Sequence, residues 1–167
     1  MPDAALRLIL AGLSVAGLWA AITMTGAFYG WWRGPAALVP ERLCSAKAGG
    51  CLDILASRFA RVFGPPNSAL GIAYYGALLG LAGIGPGSLP HCLHTPLRIL
   101  AWGVVAFSVY LAWGLLFKLR TGCPICFMSH GINLAIALLL TFGSPAAGPL
   151  ADLAPTLPVS GIAGTGL

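Results

Sequence analysis

The sequence predicts an all-α integral membrane protein: a four-helix bundle with a short amphipathic helix in the loop after the first span. Three observations carry this prediction. Hydrophobic residues make up 58% of the 167-residue chain and charged residues 8%, with a mean hydropathy of +0.89, whereas a soluble domain carries about 25% charge. The charged residues all avoid four apolar runs, Leu8 to Trp32, Asn67 to Pro90, Ile99 to Phe117 and Cys123 to Gly143. Each run reaches or approaches the ~20 residues that a helix needs to cross the hydrocarbon core. Finally, nothing alternates with the period of two that a barrel strand would need, so helices are left to satisfy the backbone in lipid.

The first run is too long for the ~7–15-residue apolar region of a signal peptide and ends without a clean cleavage site, so it reads as a retained helix. A polar loop follows, from Arg33 to Pro66. Within it, Leu52 to Phe63 has helical periodicity, with Arg58 and Arg61 on one face, and predicts an amphipathic helix on the membrane surface. Gly64-Pro65-Pro66 stops that helix before the second span. The second span carries Gly76, Gly80 and Gly83, small residues at spacings that suit close helix approach. Short connections, Gly87 to Pro96 and Lys118 to Gly122, make neighbouring helices antiparallel. The catalytic domain is thus residues 1–143. The stretch 144–167, rich in Pro and Gly, reads as an irregular tail.

This topology puts the 33–66 loop and the start of the fourth helix at one membrane face, and with them four of the five cysteines. Cys123 and Cys126 share a face at a helix N-terminus, where the helix dipole favours a thiolate. Pro124 suits the first turn. Cys44 and Cys51 flank a flexible segment containing Gly49-Gly50. These pairs suit thiol–disulfide exchange, which proceeds through a thiolate and a mixed disulfide. A permanent structural disulfide in the loop stays open, as does a zinc site, although six residues between ligands is wide for zinc. Cys92, in His91-Cys92-Leu93-His94 at the opposite face, reads as a lone thiol without a full ligand set. The formal net charge of +5 comes from scattered Lys and Arg that suit lipid headgroups and form no stripe for nucleic acid.

In order along the chain, Cys44/Cys51, Ser57, Gly64-Pro65-Pro66-Asn67-Ser68 with Gly71, Ser108-Val109-Tyr110-Leu111-Ala112-Trp113 and Cys123-Pro124-Ile125-Cys126 resemble the vitamin K epoxide reductase family. The likeness is strongest to its bacterial disulfide-generating members and spans roughly Arg42 to Phe142. It implies a membrane thiol:quinone oxidoreductase that supports disulfide formation. Cys44 would exchange with a partner protein, Cys51 would pass electrons to Cys123, and Cys126 would face the quinone. Asn67 would donate to a quinone oxygen and Ser57 would hold the loop helix over the pocket. Read without the family, Asn67 is an ordinary helix N-cap and Ser57 a solvated loop residue. Four residues past the second cysteine the animal enzymes carry a tyrosine; here stands His130, placed to bond the other quinone oxygen or supply a proton, or else satisfied by a neighbouring helix. The departure weighs against epoxide reduction.

The implied substrate is ubiquinone or menaquinone, with no metal or flavin expected. The implied partner is a separate thioredoxin-fold thiol oxidase, since no such domain follows the fourth helix. Two other classes stay open: a non-enzymatic membrane scaffold with a structural loop disulfide, and a metal-binding membrane protein. A multi-pass protein of the inner (plasma) membrane follows, its site facing the periplasm or exterior, where disulfides persist. The cations oppose that orientation. Arg33, Arg42, Lys47, Arg58, Arg61, Lys118 and Arg120 lie at the cysteine face, against Arg7 and Arg98 at the other.

Overall fold

Four helices long and apolar enough to cross a membrane make up the computed structural model, which describes residues 3–30, 54, 57–85, 89–120 and 122–143. Helix α1 is Asp3–Tyr29, α2 is Asn67–Ile84, α3 is His91–Trp113 and α4 is Pro124–Phe142. Cys44, Cys51 and the tail 144–167 lie outside the described residues, as do positions 52, 53, 55 and 56 of the predicted amphipathic helix. Of that segment, Ile54 is buried, and 57–63 form a single 3-10 turn at Arg58–Ala60 followed by a turn rather than a continuous helix.

The helix ends differ from the apolar runs where polar groups find partners. Helix α2 stops at Ile84 because Gly85 takes φ +99° and returns its N–H to Leu81 O at 2.8 Å, a left-handed cap open to glycine. Helix α3 begins at His91, well before Ile99. Its Arg98 does not end the helix, because its Nε reaches across to donate to Leu140 O at 3.3 Å at the far end of α4. Likewise Arg7 of α1 donates to Ile84 O. Long cationic side chains near a helix end carry charge out of the hydrocarbon. At its other end α3 continues as a π-helix, Gly114–Leu119, and the Phe59 ring lies against Gly114 so closely that a Cβ there would stand 2.9 Å from it.

Helix α1 packs chiefly against α2 and also against α4, and α3 packs against α4. The order around the bundle is therefore α2, α1, α4, α3, with α2 and α3 not closely packed backbone to backbone. Close approach occurs at Gly17 and Gly71 rather than at the expected Gly76, Gly80 and Gly83. A Cβ at Gly17 would run into the Tyr75 ring and one at Gly71 would meet Ala21 Cβ at 3.3 Å, while the other three have nothing within 4 Å. Two apolar clusters result. One, around Leu10, Tyr75, Leu78 and Ile136, fills the middle of the bundle. The other gathers Ala20, Met24, Ile54, Leu115 and Ile125 around Cys123. Large apolar side chains such as Leu8, Ile99, Val109 and Phe142 stay exposed, as expected of a surface whose solvent is lipid.

Candidate active site

Local chemistry fixes the cysteine pair. Cys123 adopts an extended conformation (φ −111°, ψ 102°) and serves as N-cap of α4, its sulfur accepting from Cys126 N at 3.4 Å, with Pro124 in the first turn. One turn on, the Cys126 thiol donates to the Cys123 sulfur at 2.6 Å. Cys123 is fully buried and Cys126 half-buried. The hydrogen bond from Cys126 holds the Cys123 thiol below its ordinary range, helped by the Cys126 and Ile125 backbone N–H groups and opposed by burial. A thiolate at Cys123 thus forms at lower pH than at an ordinary thiol. Alkylation of Cys123, followed by mass spectrometry in a Cys44→Ala/Cys51→Ala background, is expected to show a midpoint below the ~8.5 of free cysteine. Cys126→Ala should move that midpoint upward; a wild-type midpoint at or above ~8.5 would contradict the assignment.

Cys126 opens onto a cavity of ≈ 640 Å³ to which all four helices contribute. From α1 come Ala20, Ala21 and Met24; from α2 Asn67, Gly71, Tyr74 and Tyr75; from α3 Gly103, Phe107, Ser108 and Leu111; and from α4 Ser129, His130 and Asn133 beside Cys126. Ile54, Phe59 and Phe63 close the end nearest the cysteines. Rings tie this closure to α3: Phe59 to Tyr110 at 6.0 Å, and Phe63 to Phe107 at 5.4 Å between centroids.

Of the residues singled out in the sequence, Cys126, Asn67 and His130 line the cavity together, with Cys123 adjoining through its hydrogen bond to Cys126. Asn67 ties down the closing loop: its Nδ2 donates to Phe59 O at 2.6 Å and its Oδ1 accepts from Val62 N at 3.2 Å. It stands at the start of α2, whose N-cap is Pro66. Ser57 lies outside the lining; its Oγ donates to Ile54 O at 2.6 Å, and it caps the Arg58–Ala60 turn. Both ring nitrogens of His130 are buried without a hydrogen-bond partner among the described residues. Cys92 is exposed in the first turn of α3, at the opposite end from Cys126.

Sequence reasoning missed a polar network at the same cavity. Tyr75 Oη donates to Asn133 Oδ1 at 2.7 Å, and Asn133 Nδ2 donates to Ser108 Oγ at 2.8 Å, linking α2, α4 and α3. A signal was present, because an asparagine in the middle of a membrane run is rarely without a role. Tyr74 was missed as well. Its hydroxyl is buried and unpartnered among the described residues.

A four-span membrane bundle with adjacent thiols at the wall of an apolar cavity is a membrane-embedded dithiol protein. The sequence model of the vitamin K epoxide reductase family matches residues 8–141. The chain belongs to that family, and its general activity is that of a membrane thiol–quinone oxidoreductase. No curated protein sequence matches the chain.

Proposed function

We propose that the protein oxidises a separate thioredoxin-fold dithiol partner and passes two electrons through Cys44/Cys51 and Cys123/Cys126 to ubiquinone or menaquinone, thereby supporting disulfide formation. The observation that carries this reading is the placement of Cys126 in the wall of an apolar ≈ 640 Å³ cavity, hydrogen-bonded to Cys123. The cavity lies within the range of sites that enclose small organic molecules, lined by apolar groups with a few polar ones. The absence of close backbone packing between α2 and α3 supports access for a substrate dissolved in the bilayer.

The steps balance as follows. The partner's thiolate attacks Cys44 of a Cys44–Cys51 disulfide, and the partner leaves as a disulfide once its second thiol resolves the mixed species. Cys51 then attacks Cys123 of a Cys123–Cys126 disulfide and releases Cys126 as thiolate. Cys44 resolves that bond, which re-forms Cys44–Cys51 and frees Cys123. The Cys123/Cys126 dithiol returns to the disulfide as the quinone takes up two electrons and two protons. In sum, partner dithiol and quinone give partner disulfide and quinol. Asn67 keeps one Nδ2 hydrogen beyond its bond to Phe59 O, and in this reading it donates that hydrogen to a quinone oxygen as charge develops. Ser57 steadies the loop above.

The reading places the cysteine face toward the periplasm or exterior, where client disulfides persist. Three of the cations that oppose this orientation lie over aromatic rings: Arg58 over Phe59, Arg61 over Phe28 and Lys118 over Trp113, at 5.5, 5.2 and 5.5 Å. Such pairs suit a headgroup layer. An impermeant thiol reagent applied to reduced intact cells is expected to label Cys44 and spare Cys92; the reverse pattern would invert the topology. The function itself is tested by quinone turnover with a reduced thioredoxin-fold oxidase, comparing wild type with Cys44→Ala and Cys126→Ala. Absence of turnover with either quinone class in folded protein would favour the scaffold reading.

A further inference from the structure

Two polar side chains that line the cavity have buried polar atoms without a hydrogen-bond partner among the described residues. Tyr74 lies on the α2 wall and His130 on the α4 wall. Neither the Tyr74 hydroxyl nor either His130 nitrogen has a hydrogen-bond partner among the described residues. Helices α2 and α4 both start at the cysteine end, so depth can be compared along them. Tyr74 is seven residues past Asn67 and His130 six past Pro124, each roughly 9–10.5 Å from the cysteine end at 1.5 Å per residue. The register is fixed by the adjacent residue, since Tyr75 Oη bonds Asn133 Oδ1 at 2.7 Å and lies 3.5 Å from Ser129 O. Tyr74 is therefore level with the turn that carries His130.

Neighbouring tyrosines have thus been given different tasks. Tyr75 is committed to the interhelical network, whereas the Tyr74 hydroxyl is buried with nothing to bond among the described residues. An unmet buried donor is destabilising, and an oxygen acceptor in the cavity removes the deficit. An aromatic hydrocarbon would fill the same space and leave the deficit in place.

We propose that Tyr74 is a substrate-binding residue that, together with His130, forms a two-sided pocket for the quinone carbonyl oxygen lying deeper in the membrane. Asn67, at the cysteine end of the cavity, is left to serve the other carbonyl. This assignment rests on the quinone-reducing reading above. It makes α2 supply donors at two depths, a turn and more apart, and so holds the ring along the helix with one oxygen toward the loop.

Tyr74→Phe in the full chain, purified in detergent, tests the assignment because it removes one oxygen and keeps the ring. Two probes are compared by tryptophan fluorescence quenching: 2-methyl-1,4-naphthoquinone and 2-methylnaphthalene, which keeps the ring frame and lacks both oxygens. Tyr74→Phe is expected to weaken quinone binding by about 5–20-fold and to leave hydrocarbon binding unchanged, the change associated with one lost hydrogen bond. The ligand-free Tm should be unchanged or higher, since the lost hydroxyl has no partner among the described residues. Equal quinone affinity in wild type and Tyr74→Phe overturns the assignment, as does a lowered ligand-free Tm, which would mean the hydroxyl holds the fold. Wild-type protein that binds the quinone no better than the hydrocarbon overturns the quinone-reducing reading as well, which separates the two failures.

Discussion

Cys126→Ala is expected to lower steady-state quinone reduction by at least ~10³-fold, the scale on which removing a covalent catalytic group acts, while leaving one half-reaction intact. The sulfur lost is the one at the cavity wall, beside Cys123 and one turn before His130. Without it no Cys123–Cys126 disulfide can form, so in the proposed relay electrons arriving from the loop have no exit. A preformed Cys44–Cys51 disulfide remains competent to oxidise the partner once. The variant should therefore consume about one equivalent of partner dithiol per protein and produce no quinol. Cys44→Ala should give the complement: after reduction with a small dithiol it delivers about one equivalent of quinol and oxidises no partner. These stoichiometries exclude misfolding as the cause of lost turnover, because each variant completes the step that the other cannot. Quench-flow with partner and quinone followed separately would read both. A Cys126→Ala protein that keeps turning over would remove Cys126 from the electron path.

Much of this molecule is legible in the sequence because lipid is an unforgiving solvent. Runs without a single charge, from Asn67 or from Cys123 onward, leave the backbone no alternative to a helix. Helix ends are less legible. Asp3, Arg7 and Arg98 look like boundaries on paper, yet Arg7 and Arg98 reach carbonyls at neighbouring helix ends. Faces are the least legible. In water an apolar stripe marks the buried side; in a bilayer both sides are apolar, so Gly76, Gly80 and Gly83 looked as suited to packing as Gly17 and Gly71, which do the work. The Cys-Pro-Ile-Cys motif was legible because its chemistry is local to one helical turn. Asn67 and His130 were reached by resemblance and meet at the cavity. The link from Tyr75 to Asn133 joins residues 58 positions apart, and no local pattern announces it.

That link supplies the second large expected effect. Asn133→Ala should destabilise the bundle by about 2–3 kcal/mol, the largest loss expected from a single residue outside the cysteines. Asn133 is the shared member of two interhelical hydrogen bonds, accepting from Tyr75 and donating to Ser108. Interhelical bonds in membranes average only ~0.6 kcal/mol and reach ~1.7, because the separated helices also find partners. Two such bonds give roughly 1–2 kcal/mol, and the rest comes from the Ser108 hydroxyl losing its Asn133 partner and the Tyr75 hydroxyl keeping only its 3.5 Å bond to Ser129 O. Tyr75→Phe and Ser108→Ala each break one bond and should cost about 1 kcal/mol or less. The combination of Asn133→Ala with Tyr75→Phe should fall short of additivity, since both changes remove the same contact. Reversible unfolding in mixed micelles measures all four. Turnover should fall far less in Asn133→Ala than in Cys126→Ala, because a wall is loosened and no reacting sulfur is lost. Unchanged stability in Asn133→Ala would mean that the network braces nothing, and that Tyr75 and Ser108 are held at the cavity for a ligand instead.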